Sequence, residues 1–280
     1  MKKRLAFAVT LASILSTVAV FPAYAATTPT VTGMSQQNAN VSYTRSVTFT
    51  GTGLTGLSAL YLGSTKLANL SVASDVSATA TVDTAPNFQP GTYTLYDVAS
   101  GSTTKVNTGL SLTYNVSTNQ DKEMQYLGLN LDKKGTSTYP YYTNEDCANF
   151  ASQVIHARGL STTTSWSSGT TNWTSSTHLR SYLLGRGSVT EYSDSQANRA
   201  KVRIGDIVQF DWDRSGDRDH TGIVTRVTTS ASGVITVYYS AHTDPNDDPS
   251  HNLSIEATEA THQKVLGLSS LGKAYFLVLN

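Results

Sequence analysis

The sequence predicts a multidomain protein, an all-β sandwich followed by an α+β domain. Three observations predict it. Between Thr27 and Val116 there is no His, Trp, Cys or Glu, and short alternating strands are separated by turn formers. Beyond Ser117 the composition changes, with all six histidines and all three tryptophans lying after Cys147. In that second half two helical runs precede a series of strands, the order expected of an α+β unit.

The first 25 residues read as a secretory signal peptide. Lys2, Lys3 and Arg4 open it, an apolar run extends from Leu5 to about Phe21, and Ala23-Tyr24-Ala25 closes it with small residues. Thr10, Ser13, Ser16 and Thr17 argue against a membrane anchor, and no later segment reads as a span. The expectation is an exported chain with no membrane span after cleavage. Of 20 basic and 20 acidic residues the leader removes three basic ones, leaving 17 against 20, a net charge of −3. That balance, with no basic cluster, excludes a nucleic-acid partner. A single cysteine forms no internal disulfide, so stability must come from burial of apolar surface.

In the first half the strands are "SVTFTG" from Ser46, "ALYLG" from Ala59, "ATATV" from Ala78, "GTYTLYDV" from Gly91 and "LSLTYNV" from Leu110. Gly51 to Gly53, Pro86-Asn87 and Gln89 to Gly91 are the turns between them. The sandwich is assigned to 27–116. Ser117 to Gln125 reads as a polar linker passing into a helix, and 126–280 as the second domain. There, one helix is predicted from Cys147 to about Arg158, ending at Gly159. A second follows Trp173 in "TSSTHLRSYLLGRG", with a Thr or Ser cap and Gly185 or Gly187 at its end. The strands "DIVQFDW", "TGIVTRV", "VITVYYSAH" and "KAYFLVL" complete the domain.

The segments "PTVTGMS", "SVTFTGTGL", "QPGTYTLYDV" and "LTYNV" resemble the bacterial immunoglobulin-like domains of the IPT/TIG type over about residues 29–116. The resemblance implies a spacer or a module that binds the cell surface or wall.

Cys147, Phe150, Ala151, Val154, Ile155 and Arg158 recur at intervals of three and four, so the thiol sits in the first turn on the buried face. Thr143 and Asp146 have capping-box spacing, and Asp146 alone is a capping residue. Helix-terminal N–H groups and the helix dipole favour a thiolate, which predicts a lowered pKa; Asp146 opposes this and calls for a cationic partner. His220 is that partner: it opens a strand after the Gly205-Asp206 turn, the next strand and an acidic loop. His242 is the orienting residue by arithmetic, since a hairpin centred on residue 231 sets 220 opposite 242. A slip of one residue would undo this.

"DCANFASQ", "WTSSTHLRSYL", "GDIVQFDW", "DHTGIV" and "YSAHTD" resemble the secreted amidase domains of Gram-positive bacteria, a group similar to papain-like cell-wall hydrolases of the NlpC and CHAP kind. The resemblance covers about residues 120–280. It implies a papain-like fold with Cys147 as nucleophile, His220 as general base and His242 as orienting residue, Asp244 or Asp219 being substitutes. The chemistry is amide hydrolysis through an acyl-enzyme, and the substrate is a cell-wall peptide or another amide. The backbone N–H of Cys147 would hold the oxyanion together with a second donor, for which Tyr139, Tyr141, Tyr142 and Asn144 are candidates. Two alternatives share these residues: acyl transfer to an amine, and a non-catalytic surface-binding protein on a degenerate scaffold.

Trp166 and Trp173 either wall a substrate cleft or pack the second helix. Asn149 and Gln153 match the amidase motif and read as structural. His156, His178, His251 and His262 have no supporting motif. Clustered carboxylates at Asp211, Asp213, Asp217 and Asp219 suit calcium, but the loop lacks the EF-hand spacing and reads as a solvated turn whose charge favours a cationic His220. One thiol and scattered histidines lack zinc spacing. Neither a metal nor a cofactor is expected.

Overall fold

A computed structural model describes residues 28–143, 145–242, 250–255 and 272–280. The leader 1–25, Asn144, Asp244 and His262 lie outside the described residues.

The N-terminal region is β-rich. Its strands are β1 (Thr30–Met34), β2 (Asn38–Asn40), β3 (Arg45–Thr52), β4 (Leu57–Leu62), β5 (Thr65–Lys66), β6 (Ala68–Ser74), β7 (Ser77–Val82), β8 (Gly91–Ala99) and β9 (Val106–Asn115). They form two sheets, ordered β1-β3-β7-β6 and β2-β9-β8-β4-β5. The period-2 pattern explains the burial. Ala78, Ala80 and Val82 of β7 point inward beside Val47 and Phe49 of β3, while the intervening Thr and Ser residues face outward. Each fully buried Val or Phe contributes about 1.5–3 kcal/mol. All described pairings are antiparallel except β2 with β9.

The second region is α+β. It comprises α1 (Asn119–Asn130), α2 (Cys147–Ala157), α3 (Thr171–Thr174), α4 (Ser176–Gly185), β10 (Val189–Ser193), α5 (Gln196–Arg199), β11 (Ile207–Asp211), β12 (His220–Thr229), β13 (Ile235–Ala241), β14 (Ser250–Ser254) and β15 (Lys273–Leu279). The sheet order is β10-β15-β11-β12-β13-β14. The edge strands β10 and β14 escaped sequence reading because neither carries a clean alternation. Among the described residues no helix is long and apolar enough to cross a membrane.

Residues 117–125, read as a polar linker passing into a helix, are helical from Asn119 onward. Helix α1 begins at Asn119 with a capping box: Thr118 accepts from the Asp121 N–H, and the Asp121 carboxylate accepts from the Thr118 N–H at 2.8 Å. The same carboxylate accepts from the Ser42 backbone and, at 2.6 Å, from its hydroxyl. A polar residue that looks like linker composition thus stitches the two regions together. Gly128 completes the join. A Cβ there would lie 1.8 Å from the Asn87 carbonyl oxygen, so only glycine lets α1 lie against the Pro86–Phe88 turn. Leu127 and Leu131 then share one buried core with Ala85 and Phe88.

Helix α2, which carries the thiol, is pinned to α1 by Arg158, whose Nη1 lies 2.7 Å from Glu123 Oε2. Burial pushes the Glu123 carboxyl up to about 8, against the pull of Arg158, with Asp206 adding repulsion. A carboxyl with a raised folded pKa keeps its proton longer than in the unfolded chain, so its contribution to stability falls as pH rises between the two values. Arg158→Ala leaves any ionised Glu123 as an uncompensated buried charge, costing about 3–5 kcal/mol. Protonation at low pH removes that cost. The stability gap between wild type and Arg158→Ala, measured by urea unfolding, is expected to widen from about pH 5 to about pH 9. An equal gap at both would refute the assignment.

Candidate active site

Helix α2 is amphipathic and nearly engulfed: every residue from Cys147 to Ile155 is buried. Its apolar positions pack into the core, and its polar ones are each satisfied. Asn149 donates to the Pro140 carbonyl and to Asp146, and accepts from Trp173 Nε1 at 2.8 Å. Gln153 accepts from the Tyr126 hydroxyl at 2.7 Å, and Ser152 donates to the Trp173 carbonyl. The structural reading of Asn149 and Gln153 agrees with these bonds.

Cys147 starts the helix and is 8% exposed. Its sulfur lies 3.5 Å from the Ser176 hydroxyl at the start of α4 and receives the Thr221 backbone N–H. Behind Ser176 runs a relay of donors. Gln209 Nε2 donates to Thr221 Oγ1 at 3.0 Å, and Thr221 Oγ1 donates to Ser176 Oγ at 2.7 Å. This leaves the Ser176 hydrogen to point at the sulfur. Burial nevertheless pushes the thiol pKa up, with Asp146 adding to the rise; the hydrogen bonds from Ser176, Thr221 and Ala148 only moderate it. The expectation of a lowered pKa is therefore overturned. Desolvation at this depth outweighs the helix terminus.

Asp146 does not act as the side-chain cap. It occupies the N-cap position, but its carboxylate accepts from the Tyr142 N–H at 2.9 Å and from Asn149 Nδ2, and meets His242 Nδ1 at 2.6 Å. His242 stacks on Phe150 with centroids 3.8 Å apart, and its Nε2 lies 3.2 Å from the Asn130 carbonyl. Both ring nitrogens are thus engaged with oxygen atoms, one of a carboxylate and one of a main-chain carbonyl.

The hairpin arithmetic fails by one residue. Near the turn Thr229 pairs with Ile235, which centres the turn on Ser232 rather than Ala231. A bulge between Val224 and Arg226 then shifts the pairing, so that Ile223 faces Ser240. Continued outward, this register sets His242 across from Thr221, on the α2 side. His220 alternates to the other face, where its ring lies about 6 Å from Phe210, Trp212 and Tyr239. The structure thus brings Cys147 together with Thr221, the residue after His220, and does not bring His220 and His242 to one face. Among the described residues the side-chain hydrogen-bond partner of the thiol is a serine hydroxyl rather than an imidazole.

Trp166 and Trp173 are both fully buried, their rings tilted by 42° with centroids 4.6 Å apart, which is the packing alternative of the two. Tyr139 stacks on Trp173 at 5.6 Å; Tyr141 lies 5.9 Å from the His242 ring; and Tyr142 contributes its backbone N–H to Asp146. Sequence reasoning missed Ser176, Thr221 and Gln209. The signal was faint: Ser176 sits within the stretch read only as a helix cap. Asp219 accepts from the Trp212 N–H at 2.6 Å.

A 101-residue stretch is 33% identical to "Uncharacterized protein YjcM" of Bacillus subtilis (strain 168), covering 33% of this chain and 24% of that protein. The match therefore spans about a quarter of that relative. Among solved structures, the Bacteroides ovatus mixed-linkage glucan utilization locus SGBP-B, in complex with mixed-linkage heptasaccharide, aligns over 87% of this chain and 49% of its own. Its identity is 10% and its TM-score 0.22, which establishes no common fold. The family described as "Putative amidase domain" matches residues 117–266, more than half of the 280 residues, and this chain belongs to that family.

Proposed function

We propose that this chain is an exported cysteine amidase or peptidase that hydrolyses an amide bond in cell-wall peptides through an acyl-enzyme on Cys147. The observation that carries the reading is the relay from Gln209 through Thr221 and Ser176 to the one thiol of an amidase-family chain. Such a relay stabilises negative charge on sulfur when the proton leaves.

His220 is the base. The support for this is the amidase resemblance together with its chain position, one residue before Thr221, whose backbone N–H meets the sulfur. The ring itself packs toward Phe210, Trp212 and Tyr239, so the side chain would have to turn toward the thiol for the step. His242 is excluded from that role because both of its nitrogens are engaged. It acts instead through Asp146, holding the start of α2. His220 accepts the thiol proton, and sulfur bonds to the amide carbon. The Cys147 N–H and a second donor, with Tyr141, Tyr142 and Asn144 as candidates, hold the oxyanion, each contributing about 3 kcal/mol. His220 then returns the proton to the leaving nitrogen as the C–N bond breaks. Water, deprotonated by His220, cleaves the thioester and restores the thiol.

A papain-like arrangement of the second region, an IPT/TIG-like first region that binds the wall, and export by residues 1–25 belong to the same reading. Residue patterns alone support the first region and the export, and the family match over 117–266 supports an amidase-like second region. The burial of the thiol favours one other reading, a surface-binding protein on a hydrolase scaffold.

Product analysis separates them. Wall peptides incubated with the protein should yield a free carboxylic acid and an amine. Added hydroxylamine should divert the acyl group into a hydroxamate, detected by mass spectrometry. Hydrolysis without any hydroxamate would overturn the covalent route. Tight wall binding with neither product would select the binding protein.

A further inference from the structure

The connection between β11 and β12 holds a cluster that the amide chemistry does not use. Asp211 ends β11, is 2% exposed, and its Oδ1 has no hydrogen-bond partner among the described residues. Its Oδ2 accepts from the Gly216 N–H at 3.2 Å and lies 3.7 Å from Arg218 Nη1. One carboxylate oxygen from each of Asp211, Asp213 and Asp219 lies within 4.8 Å of the others. Three anions this close repel, and the guanidinium of Arg218 is directed at the other oxygen of Asp211, not at Oδ1. A hard divalent cation would satisfy all three.

The chain order has the same implication. In "DWDRSGDRDH" oxygen-bearing side chains stand at the first, third and fifth positions and a glycine at the sixth, followed by Asp219 at the ninth. Gly216 has φ +99°, the reversal that wraps such a loop around an ion. The twelfth position is Gly222 rather than glutamate, so the bidentate ligand of an EF-hand is missing.

We propose that this loop is a calcium site, with Asp211, Asp213 and Asp219 as its carboxylate ligands and Ser215 as a further oxygen donor. Three carboxylates without the closing glutamate place its affinity in the weak range of about 10⁻⁴–10⁻³ M, suited to a calcium-rich exterior. The ion would tie the end of β11 to the residue immediately before His220.

The test is a calcium titration of the full chain after treatment with EGTA, followed by thermal melting and by tryptophan fluorescence, since Trp212 lies inside the loop. A saturable rise in melting temperature with a midpoint between about 0.1 and about 1 mM, reversed by EGTA, is expected. Asp213→Asn, at an exposed position that tolerates the change, should leave the EGTA-treated melting temperature alone and shift the midpoint at least about tenfold upward. No calcium-dependent change up to about 10 mM, or an Asp213→Asn protein that titrates like wild type, would overturn the site. The outcome is independent of amide hydrolysis, so failure of one reading leaves the other standing.

Discussion

Cys147→Ala is expected to fold as the parent does and to lose at least about 10³-fold in amidase rate. The fold should survive because the change removes one sulfur from a helix whose other apolar anchors, Phe150, Ala151, Val154 and Ile155, stay in place. A loss of about 1 kcal/mol is typical of so small a truncation. The rate should not survive, because the remaining parts of the site only hold charge that the sulfur would carry. Cys147→Ser is the sharper comparison. It keeps a group able to bond Ser176, yet an alcohol is far harder to ionise than a thiol at a buried position, so its rate should fall as the alanine variant's does. Hydrolysis of wall peptides by mass spectrometry, with calorimetry to confirm folding, checks both. Activity within tenfold of wild type in Cys147→Ala would remove this thiol from the mechanism.

Asp146→Ala should cost about 3–5 kcal/mol of stability, on a par with Arg158→Ala at high pH. The carboxylate is 1% exposed and serves three partners at once: the Tyr142 N–H, the Asn149 amide and the His242 ring. Alanine removes the acceptor of the Tyr142 N–H, one of the two acceptors of the Asn149 amide, and the partner of the His242 ring that stacks on Phe150. At about 2–4 °C per kcal/mol, melting should drop by roughly 10 °C. Asp146→Asn retains an oxygen acceptor and should fall about half as far. Amide hydrolysis should fall with both variants, since the start of α2 carries the nucleophile. If calorimetry puts both variants within about 1 °C of wild type, Asp146 does not hold the start of the helix.

Sequence reading placed the elements well and the partnerships poorly. The alternation in "ATATV" and the three-and-four spacing after Cys147 each predicted an element, and β7 and α2 bear them out. These signals are local, since a strand or helix face is written in its own period. The errors came from residues whose role depends on what lies opposite. Asp121 reads as linker until Ser42 is seen to bond it. Trp166 and Trp173 allow a cleft wall or helix packing until both are found buried against each other. The position of His220 against His242 turned on one extra residue at Thr225, which a hairpin count has no means of detecting.

Residue order alone therefore determined the β-rich first region, the α+β second region, the helix that begins with the thiol and the amidase character of the chain. Only the tertiary structure decided that Asp146 serves His242, that a serine meets the sulfur, and that the two histidines occupy opposite faces of the sheet. The reason is physical. Local periodicity follows from backbone geometry and survives in any short segment. Pairing, register and desolvation arise between segments far apart in the chain, and the free energy of each is set by what the other side supplies.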